Sequence, residues 1–486
     1  MDTLTVTKVD DVHIQIDCEK GIAKELYDYF KFKVPNARFT PSYRSRMWDG
    51  FIRLFNYNNH TMYYGLLPKL DKFARDRHYD VIYDKTIEPA EELSRKEAKE
   101  FINTLNMDMV PRDYQISAFV YAVRNRRSLI LSPTASGKSL IIYMILKYLN
   151  LKSLVIVPTT NLVYQMASDF ENYSKGTVNE NHIHRVIAGQ DKSSDKQIVI
   201  STWQSIYKQP KKYFAQYDVV IGDECHLFKA KSLTSIMTKL VNCKHKHGFT
   251  GTLDDTEINK LVLEGLFGPT KKVATTKELI DGDHLSKFRI KSILLHYPED
   301  VKKAVRTKHN KYPDEMKFIC GYGKRNKFIY NLVESLEGNT LLLYQFVEKH
   351  GEILYNQLKD NIKDRKVFFI HGNVDVQQRE NIRAIMETER DAVVVASFGT
   401  FSLGTNMLNL HNIIFGSPYK SRIRNLQSIG RVLRKGDNKN RATLYDIADN
   451  FSTNTYTNHT LNHYKKRILL YNEEQFPYKI YKVQLK

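Results

Sequence analysis

Apolar residues fall along this chain in two different textures. Near the N-terminus they alternate with polar ones. In TLTVTKVDDVHIQIDC (3–18), Leu4 and Val6, then Val12, Ile14 and Ile16, share one face of an extended chain. A period of two predicts half-buried strands. The segment KELYDYFKFKV that follows reads as a short amphipathic helix. From Arg38 to Tyr57 the chain is basic and aromatic, and Pro41 with the Asp49-Gly50 pair predicts a hairpin. Residues 88–100, EPAEELSRKEAKE, are highly charged and nearly devoid of apolar residues. They predict an exposed, helical connector.

Past about residue 110 the texture changes to short, continuous apolar runs separated by helix-length segments. One series comprises the run around Leu129–Leu131, then SLVIV (153–157), QIVIS (197–201) and YDVVIGDE (217–224). A second comprises NTLLLYQF (339–346), KVFFIHG (366–372), AVVVAS (392–397), NIIFGS (412–417) and ATLYDIAD (442–449). Runs of this kind alternating with helices predict parallel strands buried on both faces. Two series predict two α/β domains, with the crossing in the least patterned stretch, about 280–325. The last 30 or so residues are rich in Tyr and Lys. They read either as a packing helix and strand or as a nucleic-acid-contacting extension.

Composition narrows the class. At 486 residues the chain suggests about three domains. Its 42% apolar and 26% charged residues are too apolar a mixture for a disordered chain. No window approaches a membrane-spanning length, and MDTLTVTKVDD lacks the basic and apolar regions of a secretory signal, so a cytoplasmic protein is expected. Four scattered cysteines form no CxxC pair, which disfavours a disulfide scaffold and a thiolate zinc site. The net charge of +20 favours a polyanionic partner, most often nucleic acid.

Two segments carry chemistry. After the strand around Leu129–Leu131 comes Ser132-Pro133-Thr134-Ala135-Ser136-Gly137-Lys138-Ser139, then the helical SLIIYMILKYL. Strand, tight loop and helix form the setting of a phosphate-binding loop, in which backbone N–H groups at a helix N-terminus cradle an anion. Pro133 through Gly137 would line the cradle, Lys138 would reach the β- and γ-phosphates, and the Ser139 hydroxyl would ligate Mg²⁺. The loop departs from GxxxxGK[ST] at its first position, Ser132. About 85 residues later the strand Tyr217–Ile221 ends in Gly222-Asp223-Glu224-Cys225-His226. Ligands bind at the carboxyl ends of such strands. Asp223 is placed to hold Mg²⁺, and Glu224 to orient and deprotonate an attacking water. His226 is either satisfied in the core or a relay between ATP and a neighbouring domain.

These segments resemble the superfamily 2 helicases of the DExH type over most of residues 110–450. Arg112-Asp113-Tyr114-Gln115 looks like the adenine-reading segment, with Tyr114 and Gln115 at the base. Val157-Pro158-Thr159-Thr160 and Ser201-Thr202-Trp203-Gln204-Ser205 resemble nucleic-acid-contacting motifs. Thr250-Gly251-Thr252 resembles the motif that couples hydrolysis to domain movement, which implies coupling roles for Thr250 and Thr252 and, as a relay, His226. Ile370-His371-Gly372 and Ala396-Ser397 through Gly404-Thr405-Asn406 resemble second-domain motifs, the last departing at Asn406 where many members carry Asp. Gln427-Ser428-Ile429-Gly430-Arg431-Val432-Leu433-Arg434 matches QxxGRxxR. Arg431 and Arg434 stand at i and i+3, a spacing that predicts one shared helix face and a paired guanidinium clamp on a triphosphate.

The N-terminal Arg38-Phe39-Thr40-Pro41 and Trp48-Asp49-Gly50-Phe51-Ile52-Arg53-Leu54 narrow the likeness to the bacteriophage UvsW helicase group. The resemblance implies an α/β fold: a small N-terminal α/β domain (1–87), a connector (88–105), two tandem RecA-like domains (106–285 and 286–455) and a tail (456–486). It implies ATP and Mg²⁺ as cofactors. It also implies remodelling of branched or forked DNA in phage recombination, replication and repair: Holliday-junction branch migration, fork regression and R-loop unwinding on RNA–DNA hybrids. The core motifs do not separate DNA from RNA, because phosphate contacts dominate both. An RNA helicase, or an annealing factor whose affinity ATP merely switches, therefore stays open. Candidate strand contacts are Pro158, Thr159, Thr160, Thr202, Gln204, His371, Gly372 and Ser397. Trp203 either stacks a base or is buried. Residues 21–80 hold 11 Lys/Arg against 6 Asp/Glu. Arg44, Arg46 and Arg53 among aromatics fit a nucleic-acid surface or a domain interface equally well.

Overall fold

The structure, a computed structural model, describes residues 3–229, 231–253, 257–308, 311–402, 407, 409–435, 439, 441–453 and 456–485. It divides into two compact units, Met1–Ser132 with Gly137–Ala274, and Pro133–Ser136 with Thr275–Lys486. Among the described residues no helix is long and apolar enough to cross a membrane.

In the first unit the N-terminal alternation folds as the strands Thr3–Lys8 and His13–Asp17, paired antiparallel with Val6 opposite Ile16. Leu4, Val6, Ile14 and Ile16 are fully buried, so one face of the pair makes the core. The strands lie in a five-stranded mixed sheet with Phe55–Asn56, Thr61–Tyr63 and Asp80–Tyr83. The helix Lys20–Tyr29 covers it with Ile22, Ala23 and Leu26. The expected hairpin at Asp49-Gly50 does not form between residues 38 and 57. Pro41 instead starts a one-turn helix, Pro41–Arg44, and Phe51–Arg53 pairs with Lys31–Lys33. Proline at the first helical position is pre-set for a helix and cannot donate to a strand ladder.

The connector is not simply exposed. Ser94 caps the helix Arg95–Thr104 through a reciprocal bond with Glu97, and Leu93, Ala98 and Ile102 enter the core of the following domain. Glu88 and Glu91 both pair with Arg126.

That domain is a seven-stranded, all-parallel sheet in the order 183–186, 198–202, 153–157, 219–223, 245–250, 127–131, 270–272. Its central strands bury Leu154, Val155, Ile156, Val220 and Ile221 completely. Burying each such side chain stabilises the fold by about 1.5–3 kcal/mol. The strand His245–Thr250, HKHGFT, escapes any hydrophobic reading although all six residues are buried. Some of its polar groups find internal partners, while His245 Nδ1 and His247 Nε2 have none among the described residues. Lys246 Nζ donates to the Leu240 carbonyl at 2.9 Å, and His247 Nδ1 lies 2.9 Å from Ser128 Oγ. Burial pushes the Lys246 ammonium down to about 7.

The N-terminal domain packs against Arg127 at the start of its strand and against the helix Glu257–Phe267. Leu261 of the helix Glu257–Phe267 belongs to the N-terminal core. Arg127 donates to Asp11 at 3.2 Å and lies 4.4 Å from the Tyr64 ring centre. Gly65 approaches so closely that a Cβ there would sit 2.1 Å from the Glu264 carbonyl oxygen.

The second unit is another seven-stranded parallel sheet, ordered 366–370, 392–397, 340–344, 412–415, 441–450, 287–296, 478–484. The stretch that looked least patterned contains the ten-residue strand Lys287–His296. Residues set apart as a tail form the helix His459–Glu473 and the edge strand Tyr478–Gln484, which pairs with Lys287–His296. Arg467 of that helix is buried against Asp446, with Nη2 2.8 Å from Oδ1.

Candidate functional site

The strand Arg127–Leu131 delivers the chain into the loop 132–137, and the helix Lys138–Leu149 leaves it. Ser132, where a first glycine was expected, is buried, and its N–H donates to the Thr250 carbonyl at 3.0 Å. The turn is closed by Ser136, whose hydroxyl and N–H both reach the Pro133 carbonyl at 2.7 and 3.2 Å. Ala135 and Gly137 have φ of +68° and +75°. The left-handed conformation favours glycine, and at residue 137 space demands it too. A Cβ on Gly137 would lie 2.4 Å from the Gln115 amide nitrogen. Gln115 spends its carbonyl on the Arg112 N–H at 2.8 Å, which caps the helix Asp113–Asn125 and aims its amide at the loop. Tyr114 takes a bond from Arg112 at 3.0 Å.

The acidic residues stand at the end of the neighbouring strand but one, Val219–Asp223. Lys138 Nζ is 3.9 Å from Glu224 Oε1, and Glu224 Oε2 is 3.3 Å from His226 Nδ1. His226 Nδ1 lies 2.9 Å from Thr250 Oγ1, and that hydroxyl donates to the Thr252 carbonyl at 2.9 Å. His226 is buried and touches both Glu224 and Thr250, contacts that fit either of the two roles open for it. Glu224 has a φ of +50°, uncommon for a side-chain-bearing residue. Burial, with the Glu224 carboxylate beside it, pushes Asp223 up to about 6 against the pull of Lys138. A desolvated carboxylate and a serine hydroxyl are both hard-oxygen donors of the kind Mg²⁺ takes. The Ser139 hydroxyl itself lies 2.8 Å from the Tyr173 hydroxyl, a neighbour no motif revealed.

Pro158, Thr159, Thr160, Thr202 and Gln204 converge on an open cleft of about 570 Å³. Ala188, Gly189, Lys192 and Ser205 complete its lining. Lys192 went unremarked because its loop carries no motif; the local signal was a basic, glycine-started turn. Thr159 caps the helix Thr160–Tyr173, so free N–H groups and the positive helix end face this region. Trp203 is half-buried and packs against the sheet's core.

The N-terminal arginines separate into two kinds. Arg44 and Arg46 are exposed, with Arg44 Nε reaching only the Arg38 carbonyl at 3.4 Å. Arg53 is tied to Asp49 and to the Tyr27 hydroxyl, and the Arg53 hydrogen bond holds Asp49 down to about 2. Trp48 braces the loop by donating to the Phe51 carbonyl at 2.8 Å. Arg53 also lines a second cleft, of about 520 Å³, with Lys24, Tyr27, Asn56 and Tyr57.

In the second unit His371 follows the strand Lys366–Ile370 and Ser397 ends the adjacent strand Ala392–Ser397, where Ile370 pairs with Ala396. Ser397 Oγ accepts the Thr400 N–H at 3.1 Å, His371 Nδ1 accepts the Asn373 N–H at 3.4 Å, and Arg379 donates to the Gly372 carbonyl at 3.1 Å. Gly404 and Asn406 lie outside the described residues. Gln427 and Arg431 are on the helix Arg422–Val432, and Arg431 donates to the Phe401 carbonyl at 2.7 Å. Arg434 does not share that helix face as its spacing predicted. The helix ends at Val432, and Arg434 stands in the bend beyond it. A spacing of three implies a common face only while the helix lasts.

Residues 4–84 match the family described as DNA helicase UvsW, N-terminal. Residues 108–255 match Type III restriction enzyme, res subunit, and residues 323–436 match the helicase conserved C-terminal domain. The chain is 36% identical to the ATP-dependent DNA helicase uvsW of Enterobacteria phage T4, covering 98% of each chain. It is 24% identical to a DNA 3'-5' translocase XPB2 of Sulfurisphaera tokodaii, over 67% of this chain and 79% of that one. Among solved structures, that of T4 UvsW covers all of both chains at 35% identity with a TM-score of 0.52. S. cerevisiae Dbp5 covers 80% of this chain and 93% of its own at 12% identity and 0.54, a likeness of fold.

Proposed function

Since the chain belongs to the UvsW family of DNA helicases, we propose that it is an ATP-dependent motor that remodels branched DNA by branch migration, fork regression and R-loop unwinding. The observation that carries the reading is the unbroken contact path Lys138, Glu224, His226, Thr250, Thr252. It runs from the phosphate loop to the segment expected to report hydrolysis.

Lys138 and the backbone of 133–137 bind the triphosphate. Glu224 orients a water and takes its proton as the water oxygen attacks the γ-phosphorus and the bond to the bridging oxygen breaks, releasing ADP. Ser139, once turned from Tyr173, and Asp223 would hold Mg²⁺. When bound, the ion neutralises charge on the β- and γ-phosphate oxygens. For Gln427, Arg431 and Arg434 the role is to bind phosphate oxygens and stabilise the charge of the transferring group. Loss of the γ-phosphate changes the interactions of Glu224, and His226 passes that change to Thr250. A γ-phosphate-dependent switch of this kind alternates the grip on a nucleic-acid strand, for which the cleft around Thr159, Lys192 and Thr202 is one contact surface and His371 and Ser397 are further contacts. The exposed Arg44 and Arg46 engage a duplex arm, and the host-cell cytoplasm is the site of action.

The test is steady-state ATPase with no nucleic acid, single-stranded DNA, duplex, a four-way junction and a matched RNA fork. Strongest stimulation by the junction is expected. Strongest stimulation by RNA would assign the motor to RNA, and binding without sustained turnover would make it an annealing factor.

A further inference from the structure

Arg434 poses a positioning problem. It lies two residues past the end of its helix, where helical hydrogen bonds no longer hold the backbone. The last carbonyls of a helix have no internal partner and must find another. Here two buried residues from distant parts of the second unit supply them. Ser286, 2% exposed, immediately precedes the strand Lys287–His296. Its N–H donates to the Leu433 carbonyl at 2.8 Å and its hydroxyl to the Arg434 carbonyl at 3.3 Å. Lys439, 4% exposed, donates Nζ to the Arg434 carbonyl at 3.0 Å and to the Val432 carbonyl. Three successive carbonyls are thereby capped, and Arg434 is fastened by its own main chain to the frame of the sheet. A cation at a helix C-terminus is also favoured by the helix dipole.

We propose that Ser286 and Lys439 are positioning residues for Arg434, holding the backbone that presents its guanidinium. The proposal rests on the reading of Arg434 as a member of the ATP site. The arrangement is costly to build, which argues for a purpose. Burial pushes the Lys439 ammonium down to about 7. The bond from Ser286 to Arg434 spans 148 residues of chain. A clamp of this kind acts where geometry matters most, in the transition state, so it bears on kcat more than on ATP affinity.

The experiment uses the full chain and four variants: Lys439→Met, Ser286→Ala, Arg434→Ala and the Lys439→Met/Arg434→Ala double. For each, kcat and KM for ATP are measured at saturating junction DNA, with the melting transition and binding of a fluorescent ATP analogue alongside. Lys439→Met should lower kcat about 100-fold, the scale expected for a misplaced catalytic group, with KM little changed. Ser286→Ala, which keeps the backbone N–H and removes only a hydroxyl, should lower kcat roughly 5-fold with the fold intact, the scale of one hydrogen bond. In the Arg434→Ala background Lys439→Met should add nothing, because residues acting as one unit are not additive. An undiminished kcat in Ser286→Ala and Lys439→Met, while Arg434→Ala is impaired, would overturn the clamp alone. So would a full additional loss in the double variant. A normal kcat in Arg434→Ala would instead remove the ATP-site reading, and the clamp with it.

Discussion

Glu224 holds a left-handed backbone, with its carboxylate lying between Lys138 and His226. Such strain costs on the order of 1–3 kcal/mol and is kept where it aims a functional group. Glu224→Gln should lower ATP turnover by about 100- to 10,000-fold, the scale of general-base catalysis, yet leave nucleotide binding and DNA binding in place. Lys138→Ala should lose nucleotide binding as well. Turnover rates with parallel binding titrations check both, and brisk hydrolysis by either variant would mean the site is misplaced. At the N-terminal surface the pairing of Arg53 with Asp49 changes what its removal should do. The Arg44→Ala/Arg46→Ala double variant should reduce the slope of log affinity against log salt by about 2, while Arg53→Ala barely moves it. Binding of a fork at several salt concentrations measures this, and an unaltered slope in the double variant would discard the N-terminal contact. Lys138, Asp223 and Glu224 were legible because each follows an apolar run that had to be a strand. Tyr173 and Ser286 were not, because their partners are far away in the chain, and Lys439 was not, because no local pattern marks a lysine that folds back onto carbonyls five and seven residues before it.

At the level of elements, the joint between the N-terminal domain and the first parallel sheet depends on backbone meeting backbone. Gly65 leaves no room for a Cβ against Glu264 and Gly265, whose carbonyl oxygens would lie 2.1 and 2.6 Å away. Gly65→Ala should therefore force the two elements apart and cost about 1–3 kcal/mol, the usual penalty of overpacking. Thermal or denaturant unfolding reads the change, and wild-type stability would show that the joint yields freely. The strand Tyr478–Gln484 offers a second test. It covers the edge of Lys287–His296, and Leu485 just beyond it is buried in the second unit's core. Ending the chain after residue 476 should expose that edge and make the protein prone to associate, seen as a shift in light scattering. A truncated chain that stays monodisperse would contradict this. These elements also mark where pattern reading stops. AVVVAS and SLVIV announce themselves as interior strands. HKHGFT does so only once Leu240 and Ser128 are seen to satisfy Lys246 and His247.

For the whole molecule, two parallel sheets were readable from two series of apolar runs, and the motifs at their strand ends supplied the family likeness. The separate, alternating texture of the N-terminus was readable as well, but its attachment was not, since Asp11 to Arg127 is a contact across 116 residues. Nor was the closing strand of the second sheet, which returns from the far end of the chain. The account's central claim is that ATP hydrolysis at Lys138 and Glu224 drives movement of DNA arms. The most direct measurement is dissociation of a labelled synthetic four-way junction by the full chain, with and without ATP, beside Glu224→Gln. The account predicts ATP-dependent separation by the wild type, and binding without separation by the variant. Junction separation that proceeds equally well in Glu224→Gln, or wild-type ATP hydrolysis that leaves the junction intact, would contradict it.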